Sequence, residues 1–231
     1  SQQTRDFGYP DVPDDFWRAI KGYHQMLSRS QCLLDYVFDG ELTYETISQY
    51  PVLVLPNSSC LTNAQAEDIR RYVEEGGTLV ATHESSLLDE LGEKRENFLL
   101  ADALGMDYEG PDASAQSEAS EGDERWEKNW FGRVVVRSEC ATYLPHDEGL
   151  RERCGELIAF GAPQSRVKTR PGTGVLCTKS TLTWTKNPPL YSYNPDKGQD
   201  SGIPVITVNH VGKGRAIYLA ADIGSGYERN P

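Results

Sequence analysis

The hydrophobic pattern is clearest between residues 51 and 90, where it predicts a strand–helix–strand unit. Val52–Leu55 and Thr78–Thr82 are short apolar, partly β-branched runs, as expected of strands that are buried on both faces. Between them, Thr62 precedes Gln65 at the spacing of a capping box, and apolar residues then follow with helical periodicity up to a Gly-Gly pair. Such a unit predicts parallel strands joined by a right-handed crossover.

The same periodicities predict the remaining elements of the chain. Helices are predicted over Asp14–Arg29, Tyr44–Ser48 and Asn97–Leu104, and strands over Cys32–Phe38, Arg133–Arg137, Ser165–Thr169, Gly174–Thr178, Pro204–Asn209 and Arg215–Ala220. The sequence Gly212-Lys213-Gly214 predicts a hairpin turn rather than a phosphate-binding loop, because a strand follows it. Residues 1–231 are therefore predicted to form a single α/β domain with a mainly parallel sheet, interrupted by an irregular acidic insertion at residues 107–129.

Charge and cysteine content narrow the possible functions. The 231 residues include 23 Lys and Arg against 35 Asp and Glu, a net charge of −12. This balance argues against a nucleic-acid or anionic-membrane binder, which needs a basic face, and no apolar run approaches the roughly 20 residues of a membrane span. The five cysteines are dispersed and no His pair has metal-ligand spacing, so neither a metal nor a cofactor is predicted. Dispersed thiols favour a reducing, cytoplasmic compartment.

The turn after the second predicted strand is the candidate site, because function in open α/β sheets gathers at the carboxyl ends of the strands. His83 and Glu84 could act there as a base or a ligand-binding pair. The alternative is that His83 is a hydrogen-bonded polar residue near the core and that Glu84, Ser85 or Ser86 caps a following helix. Asp222 follows the last predicted strand and could face the same cleft or form a turn.

Three segments resemble the β-galactosidase trimerisation domain, the glutamine-amidotransferase-like middle domain of family 42 and related glycoside hydrolases. They are LPNSSCLTNAQAEDIRRYVEEGGTLVATHESSLLDE, GEKRENFLLADALGM and PVITVNHVGKGRAIYLAADIGSGY. The resemblance spans Gln2 to Tyr227 and is weakest over residues 107–147. It implies a flavodoxin-like three-layer sandwich that is non-catalytic, assembles into a homo-oligomer such as a trimer, and helps to line a carbohydrate cleft.

The resemblance also implies a strand ahead of Ser1 and a catalytic barrel, so the chain is interpreted as a domain excised from a larger protein or as a much shortened relative. In the wider superfamily of class I glutamine amidotransferases, the turn that here has the sequence THESS carries a nucleophilic cysteine. Its absence predicts that the chain has no amidotransferase activity. Family relatives usually carry glycine in place of His83. Two alternatives remain, a stand-alone hydrolase that uses Glu84 with His83 or Asp222, and a sugar-binding module.

Overall fold

The computed structural model of the protein describes residues 13–112, 126–128, 134–136, 141–160, 162–183 and 199–229. Helices alternate with strands in the first half, and strands dominate the second half. The helices are α1 (Pro13–Arg29), α2 (Tyr44–Ile47), α3 (Asn63–Glu74), α4 (Ala101–Leu104), α5 (Glu148–Cys154) and α6 (Ile223–Arg229), with a short 3₁₀ helix at Asp39–Glu41. Among these residues, no helix is long and apolar enough to cross a membrane.

The strands form one large sheet and two small ones. They are β1 (Val52–Leu55), β2 (Thr78–Thr82), β3 (Met106–Pro111), β4 (Trp126–Lys128), β5 (Val134–Val136), β6 (Ala141–Pro145), β7 (Ile158–Phe160), β8 (Ser165–Thr169), β9 (Gly174–Thr183), β10 (Asp200–Val211) and β11 (Gly214–Leu219). The large sheet has seven strands in the order β1-β2-β11-β10-β9-β6-β7, and β3 pairs with β8 and β4 with β5 in the small sheets. The predicted α/β, flavodoxin-like fold class is confirmed.

The direction of the strands corrects one part of that prediction. The sheet is parallel only where β1, β2 and β11 meet, and the pairings from β11 through β10, β9 and β6 to β7 are antiparallel. The sheet is therefore mixed rather than mainly parallel. The cause is local, since β10 and β11 are joined by the tight turn at Gly212, and a turn that short can join only antiparallel strands.

The predicted crossover between β1 and β2 is confirmed in detail. Val52 lies opposite Thr78 and Leu55 opposite Ala81 in a parallel register. Thr62 and Gln65 form the reciprocal hydrogen bonds of a capping box at the start of α3. One face of the strands, with the side chains of Leu53, Leu55, Leu79, Ala81, Ala216 and Tyr218, is buried in one cluster with Ile69, Tyr72 and Val73 of α3. β2 ends at Thr82, directly after this apolar layer, and the candidate site begins there.

Four other local predictions are wrong. Residues 32–38 contain no strand, and α4 begins at Ala101 rather than at Asn97, although Gly105 ends it in the left-handed conformation as expected. The segment predicted to be irregular from Asp107 instead begins with strand β3, which pairs with β8; residues 113–125 lie outside the described part of the chain. The residues after His83 form turns and not a helix.

Candidate functional site

The turn after β2 is held by one backbone and one side-chain hydrogen bond to the neighbouring strand β11. His83 takes a positive φ of 49° and Ser86 one of 67°, a conformation that side-chain-bearing residues adopt rarely. The His83 amide donates to the carbonyl of Leu219 at 2.9 Å. The Tyr218 hydroxyl donates to the His83 carbonyl at 2.6 Å. The chain thus reverses sharply at the carboxyl ends of the two parallel strands, where the sequence predicted a site.

The His83 side chain points into the protein and is hydrogen-bonded there. Its Nδ1 lies 2.9 Å from the Ser165 hydroxyl oxygen, and only 9% of the residue is exposed. Ser165 is the first residue of β8 and is fully buried. Burial also raises the pKa of Tyr218 above its usual range, so that hydroxyl remains a donor. The geometry matches the interpretation of His83 as a hydrogen-bonded polar residue near the core.

Ser85 connects the ends of two strands and does not have the contacts of a nucleophile. Its hydroxyl lies 2.7 Å from the Thr82 carbonyl and 3.0 Å from the Leu55 carbonyl, so it links the ends of β1 and β2. The residue is fully buried. A serine nucleophile needs a general base within hydrogen-bond reach, and here the groups that accept from the hydroxyl are backbone carbonyls. Ser85 therefore does not have the setting of a catalytic serine.

Replacing Ser85 with alanine is expected to lower the free energy of unfolding by about 1 kcal/mol, because the hydrogen bond that its single hydroxyl hydrogen makes to these buried carbonyls is lost. Urea denaturation followed by far-ultraviolet circular dichroism measures the change. Ser48→Ala is the matched control, since the Ser48 hydroxyl also donates to a carbonyl, that of Glu45, but lies at the surface; its cost should stay within about 0.5 kcal/mol. Equal costs for the two variants would contradict the assigned role of Ser85.

Glu84 is the member of the predicted group that faces solvent, with its side chain 25% exposed. Its amide donates to Asn57 Oδ1 at 3.2 Å, which fixes the residue at the rim of the turn. Its carboxylate accepts from the Tyr108 hydroxyl at 3.2 Å and lies 3.7 Å from the Lys94 ammonium. Lys94 in turn donates to Tyr108 at 3.1 Å. Three polar side chains therefore meet at this edge, and we call Glu84, Lys94 and Tyr108 the rim cluster.

Sequence reasoning missed two members of the rim cluster. Lys94 lies in an irregular loop, and Tyr108 lies in β3, within the stretch predicted to be an irregular insertion. Burial raises the pKa of Tyr108 above its usual value, against the opposing effect of Lys94, so the phenol stays protonated and donates. The pairing of β3 with β8 holds Tyr108 in the sheet beside the turn, and that pairing joins residues more than fifty positions apart.

Asp222 caps a helix and does not join the rim cluster. Its Oδ2 accepts from the Ser225 hydroxyl at 2.6 Å and its Oδ1 from the Ser225 amide at 3.2 Å, at the start of α6. The residue as a whole is 4% exposed. Burial first, and the charge of Asp222 second, raise the pKa of the Tyr23 hydroxyl above its usual range. The arrangement corresponds to the local, backbone-shaping role that was one of the two interpretations of Asp222.

The remaining candidate groups, metal ligands and cysteines, do not form a site for metal binding or nucleophilic catalysis among the described residues. Within the part of the chain that the structure describes, no group of three or more His, Cys, Asp or Glu side chains could hold a metal ion. Cys60 and Cys177 are buried, and burial raises the pKa of Cys177 to about 12, which disfavours the reactive thiolate. Cys140 lies outside the described residues.

Comparisons with known proteins show what this architecture is similar to. The model of the β-galactosidase trimerisation domain matches residues 9–110. A search of curated proteins found no match. Among solved structures, the chain is similar to the β-galactosidase of Bacillus circulans sp. alkalophilus, with 19% identity, a TM-score of 0.63, and coverage of 96% of this chain and 27% of that one.

Two further solved structures are also similar to the chain. The β-galactosidase of Rahnella sp. R3 is 20% identical with a TM-score of 0.55, over 95% of this chain and 26% of that chain. A thuA-like protein of Bacteroides uniformis is 16% identical with a TM-score of 0.52, over 90% of this chain and 75% of that chain. These likenesses show the fold, and the chain spans about a quarter of the length of either β-galactosidase. The resemblance inferred from the sequence is confirmed: residues 9–110 match the β-galactosidase trimerisation domain, and the fold is similar to that of a segment of a family 42 β-galactosidase that covers 94% of the chain.

Proposed function

We propose that this chain is a non-catalytic assembly domain of a larger glycoside-hydrolase-like protein, and that its task is to hold copies of that protein together. The observation that carries the proposal is the match of residues 9–110 to the β-galactosidase trimerisation domain. The turn after β2 supports it, because His83 and Ser85 are buried and hydrogen-bonded to groups that maintain the fold. A nucleophile would instead have to be exposed beside a base.

Surface composition also supports assembly. Trp17 on α1 is 42% exposed and Leu91, in the loop after the turn, is 65% exposed. Exposed apolar residues of this size are favourable contacts once a partner removes them from water. The net charge of −12 opposes the approach of two copies, so salt that screens this repulsion should strengthen association.

The test is the oligomeric state in solution. Sedimentation equilibrium at about 0.15 M salt is expected to find a closed oligomer or a monomer–oligomer equilibrium, with a trimer as the assembled species. The oligomeric fraction should rise when salt is added. A chain that remains strictly monomeric at high protein concentration, with and without added salt, would refute assembly as a property of this domain.

A second role is favoured by the rim cluster. Its carboxylate, phenol and ammonium are donors and acceptors at the carboxyl edge of the sheet, and such groups suit sugar hydroxyls. We propose that Glu84, Lys94 and Tyr108 form part of the wall of a carbohydrate cleft in the larger protein. The alternative of a stand-alone hydrolase gains less support, because Asp222 and His83, the partners it would need beside Glu84, are engaged elsewhere.

Titration with galactose tests whether the rim cluster binds carbohydrate. Nuclear magnetic resonance is expected to show shifts of the Tyr108 and Glu84 signals that the Glu84→Gln variant reduces. Glu96→Gln, a change at another exposed glutamate, should leave the titration unaltered. The chain is also expected not to hydrolyse a nitrophenyl galactoside. Shifts that are equal in both variants would contradict a role of the rim cluster in carbohydrate binding. Hydrolysis that Glu84→Gln abolishes would favour the alternative of a stand-alone hydrolase.

A further inference from the structure

The structure has a pocket of about 390 Å³ at the amino ends of β1 and β2. Pro51 directly precedes β1 and Gly77 directly precedes β2, so the pocket lies at the edge of the sheet opposite the rim cluster. Three tyrosines and three other polar side chains line it, namely Tyr44, Tyr50, Tyr72, Ser48, Gln49 and Glu75. Its volume is within the range of small-molecule sites. We call this cavity the amino-edge pocket.

The hydrogen-bond donors that line the amino-edge pocket are already engaged with the protein. The Tyr44 hydroxyl donates to Glu75 Oε2 at 2.5 Å, and the Tyr50 hydroxyl donates to Asp35 Oδ2 at 2.9 Å. Backbone carbonyls accept from the other three side chains with donors, Tyr72, Ser48 and Gln49. Backbone carbonyls also accept from the lining amides of Ser48, Gln49, Tyr50, Glu75, Gly76 and Gly77. A ligand would therefore find few donors here.

The lining offers acceptors instead. A carboxylate has about four lone-pair sites, and Glu75 uses one on Tyr44 and one on Arg71, whose Nε lies 3.1 Å from Oε1. A tyrosine hydroxyl that donates keeps its lone pairs, and the side-chain carbonyl of Gln49 is a further acceptor. The hydrogen bond from Tyr44 first, and that from Arg71 second, lower the pKa of Glu75, so its carboxylate is charged at neutral pH.

Aromatic rings complete the wall of the amino-edge pocket. The guanidinium of Arg71 lies 3.8 Å from the ring centroid of Tyr44 while it pairs with Glu75, which shows that a cation is stable between this ring and this carboxylate. A Cβ at Gly77 would overlap the ring of Tyr72, so glycine at that position leaves room for the ring beside the pocket. Ring faces and a carboxylate are the groups that recognise organic cations.

Negative charge surrounds the same pocket. The hydrogen bond to Asp35 first, then burial and the charges of Asp35 and Glu41, raise the pKa of the Tyr50 hydroxyl. Glu45 acts in the same direction on Tyr44, after the larger effect of its hydrogen bond to Glu75. The whole chain has a net charge of −12, and such a field raises the local concentration of cations.

The geometry points to an organic cation, a primary ammonium or a guanidinium on a short apolar stem, as the ligand of the amino-edge pocket. The cation would donate to the Glu75 carboxylate and the Gln49 carbonyl, and its stem would lie against the tyrosine rings. An anion would need donors, which this lining has already used within the protein. A free amine and a lysine or arginine side chain of a partner protein carry the same chemistry.

Titration of the 231-residue chain with butylammonium, followed by nuclear magnetic resonance, tests this inference. The amides of Gly76 and Gly77 are expected to shift with a Kd of about 1 mM. Butanol, which has a similar stem without the charge, should bind at least about tenfold more weakly. A capped glycyl-lysyl-glycine peptide distinguishes the two sources of the cation. Tighter binding of the peptide than of butylammonium would identify a partner's side chain, and weaker binding a free amine.

Substitutions at the pocket provide matched controls. Glu75→Gln is expected to weaken butylammonium binding about tenfold, whereas Glu74→Gln, at an adjacent exposed glutamate outside the lining, should not. Tyr44→Phe keeps the ring and releases Glu75 Oε2 from its hydrogen bond, so this variant should bind at least as tightly as the unchanged protein. Absent shifts, equal affinities for butylammonium and butanol, or equal losses in Glu75→Gln and either other variant would overturn the inference.

Discussion

Replacing Lys179 with methionine is expected to lower the free energy of unfolding by about 3–5 kcal/mol. Lys179 Nζ lies 2.5 Å from Asp112 Oδ2, and the two side chains are only 5% and 9% exposed. The substitution keeps most of the side-chain volume but removes the ammonium, so the Asp112 carboxylate is left in a poorly solvated place without its lysine. The cost of that buried charge, rather than the loss of packing, dominates the effect.

The double variant Lys179→Met, Asp112→Leu separates these contributions. With both charges removed, most of the lost stability should return, because the penalty for an uncompensated buried charge disappears. Chemical denaturation of both variants and of the unchanged protein gives the comparison. If the double variant is as unstable as the single one, the pair acts through shape or through other contacts, and the electrostatic explanation is wrong.

The ion pair also illustrates what the sequence does not reveal. Asp112 follows β3 and Lys179 lies in β9, and the two residues meet only because of how the strands in the second half are arranged. Nothing within several residues of either side chain marks it as buried. In contrast, the unit of β1, α3 and β2 is predictable from the sequence, because its capping box, its helical periodicity and its closing glycines are all local signals.

Strand direction and strand pairing can also be predicted only where a local sequence signal sets them. The sequence identifies most strands of the second half, and the turn at Gly212 predicts that β10 and β11 are antiparallel. It contains no comparable signal that β11 lies parallel to β2, more than 130 residues earlier, with Ala216 opposite Leu79. Residues 32–38 show the converse, because a local pattern typical of a strand does not form one there.

The candidate site is likewise predictable from the sequence only in part. Its position at the turn after β2 is predictable, because it depends on where a local unit ends. The roles of its residues are not, because they depend on partners distant in sequence. His83 is fixed by Ser165 and Glu84 by Tyr108, and both partners belong to the small sheet of β3 and β8. A site residue can therefore be located from the sequence before its chemistry can be assigned.

Substituting Gly22 with alanine is expected to destabilise the protein by about 2–3 kcal/mol, since overpacking against backbone cannot be relieved by a side-chain rotation. Gly22 lies in the middle of α1, where alanine would otherwise gain about 1 kcal/mol of helix propensity. A Cβ at this position, however, would overlap the carbonyl oxygen of Gly224 in α6. The overlap therefore outweighs the propensity, and α1 and α6 would have to move apart.

Gly40→Ala is the control for this substitution. A Cβ at Gly40 would meet nothing within 4 Å, so its effect should stay within about 0.5 kcal/mol. Thermal and urea denaturation of the two variants measure the difference, and near-ultraviolet circular dichroism should report a change around Trp17 of α1 in Gly22→Ala alone. If Gly22→Ala were as stable as the unchanged protein or more so, helix propensity would outweigh the overlap, and α1 would not be packed directly against the backbone of α6.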